Sequence, residues 1–384
     1  MDQVTPLNTG AVRDAPDAGS LVTGARVLPF ETGQPADSGQ RLLVIAEVAR
    51  ESELVTSYWL ASPDGAALPA PAAGQYLPVS VDVPDHGMLR RSYTISAYVA
   101  GRYRLSIKRE CRHGHPPGQV SNYIHDNWAA GDLIHAGAPQ GRFVLDATNN
   151  RPIVLIAGGI GITPLLAMLH ELAAQQSTRN VVLFMGMRHH LDHPFRSEVA
   201  DVAHRMPNLT VHVRYSDAAA DAGDGPVPDS YGLIDEALLR DLAPLPDADI
   251  YLCGPAPFMK AMDLALASLG VPDERIRFEA FGPATIERGN SRARDGAAAL
   301  GPMVSFNRSN VAAPFDPRAL NLLEFAEDLG LNPSFNCRSG SCGACATRKL
   351  SGATRYVGTP TAVVADDEIL LCCALPDEPV SLEL

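Results

Sequence analysis

From about residue 38 to 147 the apolar residues come in short runs: Leu42 to Val48, Thr56 to Ala61, Gln75 to Val81, Arg91 to Ser96, Tyr103 to Lys108 and Asp132 to Ala136. Each is cut off by Gly, Pro or polar residues, the pattern of closely spaced strands in an antiparallel barrel. From about 148 to 283 the rhythm changes. Strands read as buried, Ile153 to Ala157, Val181 to Gly186, Leu209 to Tyr215 and Ile250 to Cys253, alternate with helical stretches such as Pro164 to Ala174. That alternation predicts a parallel α/β sheet. Residues 285–300, rich in Arg, Gly, Ser and Ala, read as a linker, and 301–384 form a third unit. Residues 1–37 show no sustained periodicity and read as a flexible leader.

Composition adds a few exclusions. With 46% apolar and 20% charged residues in 384, the chain is long enough for several cores. No apolar run approaches the roughly 20 residues of a membrane span, so no membrane insertion is expected. A formal charge of -13 disfavours nucleic acid, whose phosphates call for a basic face. The 7 cysteines, with no signal-peptide pattern, suggest reduced thiols and a cytoplasmic protein rather than a disulfide scaffold.

The chemistry is concentrated in three places. Cys337, Cys342 and Cys345, followed distantly by Cys372, have the C-x4-C-x2-C…C spacing of a plant-type [2Fe-2S] centre. The hooks are unequal and no histidine follows, which argues against zinc. Spacing alone does not choose between Cys372 and Cys373 for the fourth ligand. A second place is Gly158-Gly159-Ile160-Gly161-Ile162-Thr163-Pro164, a strand, glycine turn and helix start suited to a pyrophosphate. The third is Arg91-Ser92-Tyr93-Thr94-Ile95-Ser96. Strand alternation puts Arg91, Tyr93 and Ile95 on one face and Ser92, Thr94 and Ser96 on the other, unless a bulge intervenes. Gly118 to Ile124 looks like a further helix start able to meet an anion.

These segments together resemble the ferredoxin-NADP reductase superfamily. Arg91 to Ser96 resembles its R-x-Y-[ST] flavin motif, Gly118 to Asp126 its flavin phosphate helix, Gly158 to Pro164 its nicotinamide-nucleotide loop, and Cys253-Gly254-Pro255 its nicotinamide-side motif. Phe278 to Pro283 is similar to the end of the flavohaemoglobin reductase half. With the cysteine tail, the whole resembles phthalate dioxygenase reductase. The resemblance implies a multidomain fold: a flavin-binding antiparallel β-barrel (38–147), an NAD(P)-binding α/β domain (148–284), and, after the linker, an α+β ferredoxin domain of β-grasp type (301–384).

It also implies roles. Arg91, Ser92, Tyr93 and Thr94 would hold the flavin, Arg91 at a phosphate, Tyr93 against the ring and Thr94 near N5. Gly118, Val120 and Ser121 would meet the flavin pyrophosphate. Gly159, Gly161 and Thr163 would meet that of NADH or NADPH, with Cys253, Gly254 and Pro255 beside the nicotinamide and Phe281 covering the flavin face. Thr94 and Cys253 would act at the hydride step. The ferredoxin pattern, whose last ligand sits four residues before a proline, favours Cys372 beside Cys337, Cys342 and Cys345. A nicotinamide gives two electrons together and a [2Fe-2S] centre takes one, so a flavin is needed between them. FAD is favoured over FMN by the helix at Gly118. The expectation is an NAD(P)H-dependent flavin and iron-sulfur reductase serving an electron-accepting protein, an oxygenase or hydroxylase component; the alternative is a redox-sensing subunit with little nicotinamide turnover.

Some residues carry no expected chemistry. His189, His190 and His193 read as solvated loop histidines, and Cys111 as an ordinary thiol. Arg188, after the second parallel strand, could face a ribose or its 2′-phosphate and leaves NADH and NADPH open.

Overall fold

The computed structural model describes residues 41–84, 86–110, 118–218, 226–281, 301–317, 319, 321–331, 333, 335, 340, 343–357, 360 and 362–384. The expected leader, the linker, Cys111, Cys337 and Cys342 lie outside the described residues.

The first unit is a closed barrel. Its strands are β1 (Arg41–Arg50), β2 (Val55–Ala61), β3 (Tyr76–Val83), β4 (Gly87–Val99), β5 (Arg102–Lys108) and β6 (Leu133–Ala136), with helix α1 (Gln119–Asn127) before β6. All pairs are antiparallel, in the order β1-β2-β5-β4-β3-β6, and β6 closes the ring by pairing with both β1 and β3. The expected strands agree with these to within a few residues. Inward side chains such as Leu43, Tyr58, Leu77, Ile95 and Leu105 fill the barrel, and α1 plugs one end with Val120 and Ile124. The alternation expected along β4 breaks at a bulge between Ile95 and Ala97, so Thr94, Ile95, Ser96 and Ala97 are all buried.

The second unit runs β7 (Ile153–Gly158), α2 (Ile162–Ala174), β8 (Val181–Met187), α3 (Arg196–Arg205), β9 (Leu209–Tyr215), β10 (Ser230–Tyr231), α4 (Glu236–Leu242), β11 (Asp249–Gly254), α5 (Ala256–Ser268) and β12 (Ile276–Ala280). Its six parallel strands lie in the order β10-β9-β8-β7-β11-β12. The chain first builds outward from β7 through β8 and β9, then returns to place β11 on the other side of β7. Ligands of open α/β sheets bind at such a reversal, outside the carboxyl ends of the strands. Apolar clusters cover both faces of the sheet, and one of them takes in Val55 and Phe143 from the barrel side. At the opposite end of the sheet Arg179 reaches Asp249 at 3.1 Å and the Arg151 carbonyl at 2.6 Å, tying the incoming connection down.

The third unit holds β13 (Met303–Phe306), β14 (Val311–Pro314), α6 (Leu322–Asp328), β15 (Ala346–Ser351), β16 (Thr354–Tyr356), β17 (Glu368–Leu370), β18 (Ala374–Pro376) and β19 (Val380–Leu382). A five-stranded mixed sheet, β14-β13-β19-β15-β17, packs its apolar face on Leu322, Phe325 and Ala326 of α6. The parallel β13–β19 pair joins the first strand of the unit to its last. The multidomain fold is therefore a barrel, a parallel α/β sheet and an α+β ferredoxin-type unit. Among the described residues no helix is long and apolar enough to cross a membrane.

Candidate functional site

Glycines shape the reversal point. A Cβ on Gly161 would stand 2.2 Å from the Cys253 carbonyl oxygen, and Cβ atoms on Gly158 and Gly254 would stand 2.7 and 2.5 Å from the Phe258 ring. No side chain fits at these three positions. Gly159 differs: its φ is +54° and nothing lies within 4 Å of where a Cβ would be. Its backbone is open to a ligand, in a conformation that favours glycine.

A cavity of about 190 Å³ begins there. Its wall includes Gly158, Gly159 and Ile160, Pro255 and Phe258, and, farther along the strand ends, Arg188, Asp192 and Ser216, with Lys108 from the barrel. An open glycine turn, a helix start and a long cleft suit a dinucleotide. Of the residues expected at the nucleotide, Gly159, expected at the pyrophosphate, and Pro255, expected beside the nicotinamide, line the cavity. The buried Thr163 hydroxyl is spent locally, donating to the Ile160 carbonyl at 3.0 Å.

Helix α2 leaves the glycine turn and packs along β4, bringing the cleft to the strand that carries Arg91 to Ser96. Thr94 is 5% exposed there, and its Oγ1 has no hydrogen-bond partner. An unmet buried hydroxyl costs on the order of 1–3 kcal/mol, so this position fits a ligand that supplies a partner. Tyr93 packs on the barrel core, and burial pushes its phenol up, keeping it protonated. Arg91 donates to the Arg90 carbonyl at 2.8 Å, and its guanidinium carbon lies 5.7 Å from the centre of the Phe335 ring, two residues before Cys337. Ser92 faces Pro78 across the β3–β4 ladder.

At α1 the first i→i−4 bond runs from Asn122 to the Gly118 carbonyl at 3.2 Å, so the N–H groups of Gln119, Val120 and Ser121 precede it. The Val120 side chain is buried in the barrel core, leaving its N–H as what it can offer a ligand. A Cβ on Gly118 would collide with Glu110 at 2.7 Å and Ser121 Oγ at 2.8 Å.

Cys253 is fully buried at the end of β11, where burial and then Glu279 push its thiol well up, so it stays neutral. It pairs in register with Glu279 on β12. Sequence reasoning missed Glu279. Burial raises its carboxyl to about 8, and its Oε2 is buried without a partner. The available signal was an acid between Phe278 and Ala280 in an otherwise apolar run. Phe281 follows one residue beyond β12 and is 36% exposed.

In the third unit Cys345 and Cys372 are buried with their sulfurs 3.2 Å apart, close enough to share one metal atom, and Cys373 lies 3.6 Å from Cys372. Gly340, at φ +73°, admits no Cβ because Cys373 Sγ would be 2.6 Å away.

Comparison with known proteins agrees with this layout. The oxidoreductase NAD-binding domain model matches residues 155–263, and the 2Fe-2S iron-sulfur cluster binding domain model matches 304–377. The FAD/NAD-binding domain of nitric oxide dioxygenase from Vibrio cholerae is 35% identical with a TM-score of 0.58, and the match covers all of that domain and 64% of this chain. The chain belongs to the ferredoxin-NADP reductase superfamily. Phthalate dioxygenase reductase aligns over 91% of this chain and 99% of its own, at 26% identity and a TM-score of 0.55. The flavohemoprotein of Bordetella pertussis is 40% identical over 248 residues. That match spans 64% of this chain and 61% of the relative, so the chain covers about three fifths of the curated relatives it matches. This superfamily member is an oxidoreductase with a nicotinamide-nucleotide module and an iron-sulfur module.

The expected picture of solvated histidines needs correction. His193 is 6% exposed, its Nδ1 lies 2.8 Å from the Tyr215 hydroxyl, and burial lowers it to about 4. The loop turns this ring under β9, which the local sequence does not reveal. Among the described residues no group of three or more histidine, cysteine and acidic side chains is placed to hold a metal ion.

Proposed function

We propose that the chain is an NAD(P)H-dependent reductase that carries FAD and a [2Fe-2S] cluster and delivers electrons to a separate acceptor protein, an oxygenase or hydroxylase component. The units that do so are 38–147, 148–284 and 301–384, joined by 285–300, and the working compartment is the cytoplasm. The observation that carries the proposal is the packing of α2, which begins at the glycine turn, along β4, the strand that bears the partnerless Thr94 hydroxyl.

When bound, the flavin takes a hydride from the nicotinamide and gives up its electrons singly, which is the chemistry the chain's own groups do not supply. The protein's part is placement. Gly159 and the start of α2 hold the dinucleotide phosphates, Gly161 and Thr163 keep that turn seated, and Gly254 and Pro255 shape the nicotinamide end. Thr94 gives the ring edge a hydrogen bond, Tyr93 and Arg91 with Ser92 fix the ring and its phosphates, and Gly118, Val120 and Ser121 hold the pyrophosphate through backbone groups. Cys253 stays a neutral thiol at the ring, while Glu279, uncharged below about pH 8, keeps a negative charge out of the hydride path. Phe281 screens the flavin face until nicotinamide displaces it. Cys337, Cys342, Cys345 and Cys372 ligate the cluster, and the Arg91–Phe335 contact joins the flavin motif to the residue two before Cys337.

FAD is supported by the similar Vibrio cholerae domain, whose name specifies FAD and NAD, and by the free N–H groups at α1. The acceptor class follows the similarity to phthalate dioxygenase reductase along nearly the whole chain. Anaerobic mixing of the purified protein with NADH and with NADPH tests the reading. Bleaching of the flavin band by either is expected. A bound flavin and cluster untouched by both nucleotides would favour the redox-sensing alternative, and FMN released on acid treatment would overturn the FAD assignment.

A further inference from the structure

Arg104 is an arginine almost sealed from solvent, at 5% exposure, on strand β5 of the barrel. Its guanidinium forks onto Glu198 of α3, with Nη1 2.7 Å from Oε2 and Nη2 2.9 Å from Oε1. Glu198 Oε1 also meets His170 Nε2, on α2, at 2.5 Å. The remaining edge of the guanidinium, Nε, donates to Ser96 Oγ at 3.0 Å, at the β4 bulge two residues after Thr94. Ser96 is held in turn by Ser106 Oγ at 2.8 Å, which meets Ser57 Oγ at 2.8 Å.

Aromatic rings close the cluster. The guanidinium carbon lies 4.9 Å from the centre of the Phe195 ring and 5.4 Å from that of Trp59. Phe195 adopts φ +60°, a left-handed conformation that is a genuine outlier for a bulky side chain and persists only where its surroundings hold it. Burial works against the Glu198 charge, but His170 and Arg104 outweigh it and hold the carboxyl at about 2. The carboxylate is thus ionised near neutral pH and keeps its charge toward the Arg104 fork.

The cluster joins four elements that matter for one step. Strand β4 carries Thr94, α2 begins at the glycine turn, α3 belongs to the nucleotide unit, and β5 belongs to the barrel. A surface ion pair would contribute little to placement, whereas a bidentate pair with its arginine buried and its carboxylate half-buried fixes direction as well as distance. We infer that Arg104, Glu198 and His170 form a latch that sets the barrel against the nucleotide unit and so fixes the geometry of hydride transfer. These are positioning residues: none of them lines the cavity. The inference rests on the hydride-transfer reading above.

The test uses the full-length holoprotein and the variants Glu198→Gln, which keeps the shape of the carboxylate, and His170→Gln, which removes only the outer contact. Flavin bleaching by saturating NADH or NADPH is followed with and without deuterium at the transferred position. Amide hydrogen exchange over 102–108 and 196–205 is measured in holoprotein and in flavin-stripped protein. Because a displacement of about 1 Å can cost on the order of a hundredfold, Glu198→Gln should slow bleaching at least about tenfold while nucleotide half-saturation moves by less than about threefold. The isotope effect should change, and exchange in both segments should speed up even without flavin. His170→Gln should do the same to a smaller degree, and it carries the test if Glu198→Gln fails to retain flavin. Bleaching and exchange unchanged from wild type in both variants would overturn the latch, as would a rate loss matched by equal loss of bound flavin. Failure of the wild-type protein to bleach with either nucleotide would instead sink the hydride reading, and the latch's role with it.

Discussion

The barrel meets its two neighbouring units in different ways. Toward the nucleotide unit it presents a packed, buried surface: Val55 and Phe143 join the apolar core of the α/β sheet, a Cβ on Gly74 would collide with the Phe143 carbonyl at 2.0 Å and with Met168 of α2 at 2.9 Å, and Arg104 forks onto Glu198. Toward the cluster unit a contact among the described residues is made by a half-buried arginine, Arg91, with its guanidinium carbon 5.7 Å from the centre of the Phe335 ring. The difference matches what has to cross each boundary. A hydride moves as an atom and needs reacting centres within about 3–3.5 Å, correctly oriented. An electron tolerates a gap and a range of angles, so an adjustable contact suffices. Large apolar interfaces hold domains rigid, and smaller polar ones leave them free to shift.

The sharpest way to break the comparison is to remove one side of it. Cys372→Ser should abolish the cluster's absorbance and paramagnetic signal and stop reduction of a cluster-level acceptor protein, while NAD(P)H-driven reduction of ferricyanide at the flavin stays within about twofold because thiolate ligation holds only the cluster. Equal loss of both activities would mean that the units are not separable. Next in size is Thr94→Val. Loss of about 1–3 kcal/mol of hydrogen bonding should slow flavin bleaching roughly tenfold to a hundredfold, with electron passage to the cluster unaffected. Bleaching at the wild-type rate would show that this buried hydroxyl serves no ligand.

Much of this was legible in the sequence because it is local. The cysteine hooks, the Gly158 to Pro164 turn and the Arg91 to Ser96 strand each lie within about ten residues, where spacing alone constrains what the backbone can do. What the sequence withheld depends on distant partners. Glu279 becomes a buried, partnerless acid only because β12 lies beside β11 and Cys253. Arg104 and Glu198 are 94 residues apart, and neither carries a local mark of their pairing. The β4 bulge hid in the same way: it puts Ser96 within reach of Arg104, where simple alternation grouped it with Ser92 and Thr94. Gly161 and Thr163 were legible as a motif, yet their work is mainly to seat the turn against Cys253 and Ile160.

Glu279 gives a pH-dependent prediction. Its carboxyl is raised from 4.5 to about 8 by burial, so the folded protein keeps a proton that the unfolded chain gives up. Its contribution to stability is therefore full below about pH 4.5, falls as pH rises, and is gone above about pH 8. Urea midpoints should drop between pH 5.5 and 8.5 in the wild type, and Glu279→Gln should flatten that drop. An identical pH slope in the variant would place the titration elsewhere.

Smallest is the effect expected at the looser boundary. Phe335→Leu removes a half-buried cation–π contact worth on the order of 1 kcal/mol and should slow flavin-to-cluster transfer by only a few-fold. Phe281→Ala should likewise raise oxygen consumption modestly by uncovering the flavin face. No change in oxygen consumption or nucleotide affinity would remove the lid role.

The central claim is that a rigid boundary serves the hydride and a loose one serves the electron. Rapid anaerobic mixing with NADH or NADPH, following the flavin band and the cluster's paramagnetic signal in one experiment, tests it most directly. The account predicts that flavin bleaching precedes cluster reduction, that Glu198→Gln lowers the rate constant of flavin reduction while leaving that of flavin-to-cluster transfer unchanged, and that Phe335→Leu lowers the transfer rate constant alone. A fall in both rate constants in equal measure in either variant would contradict it.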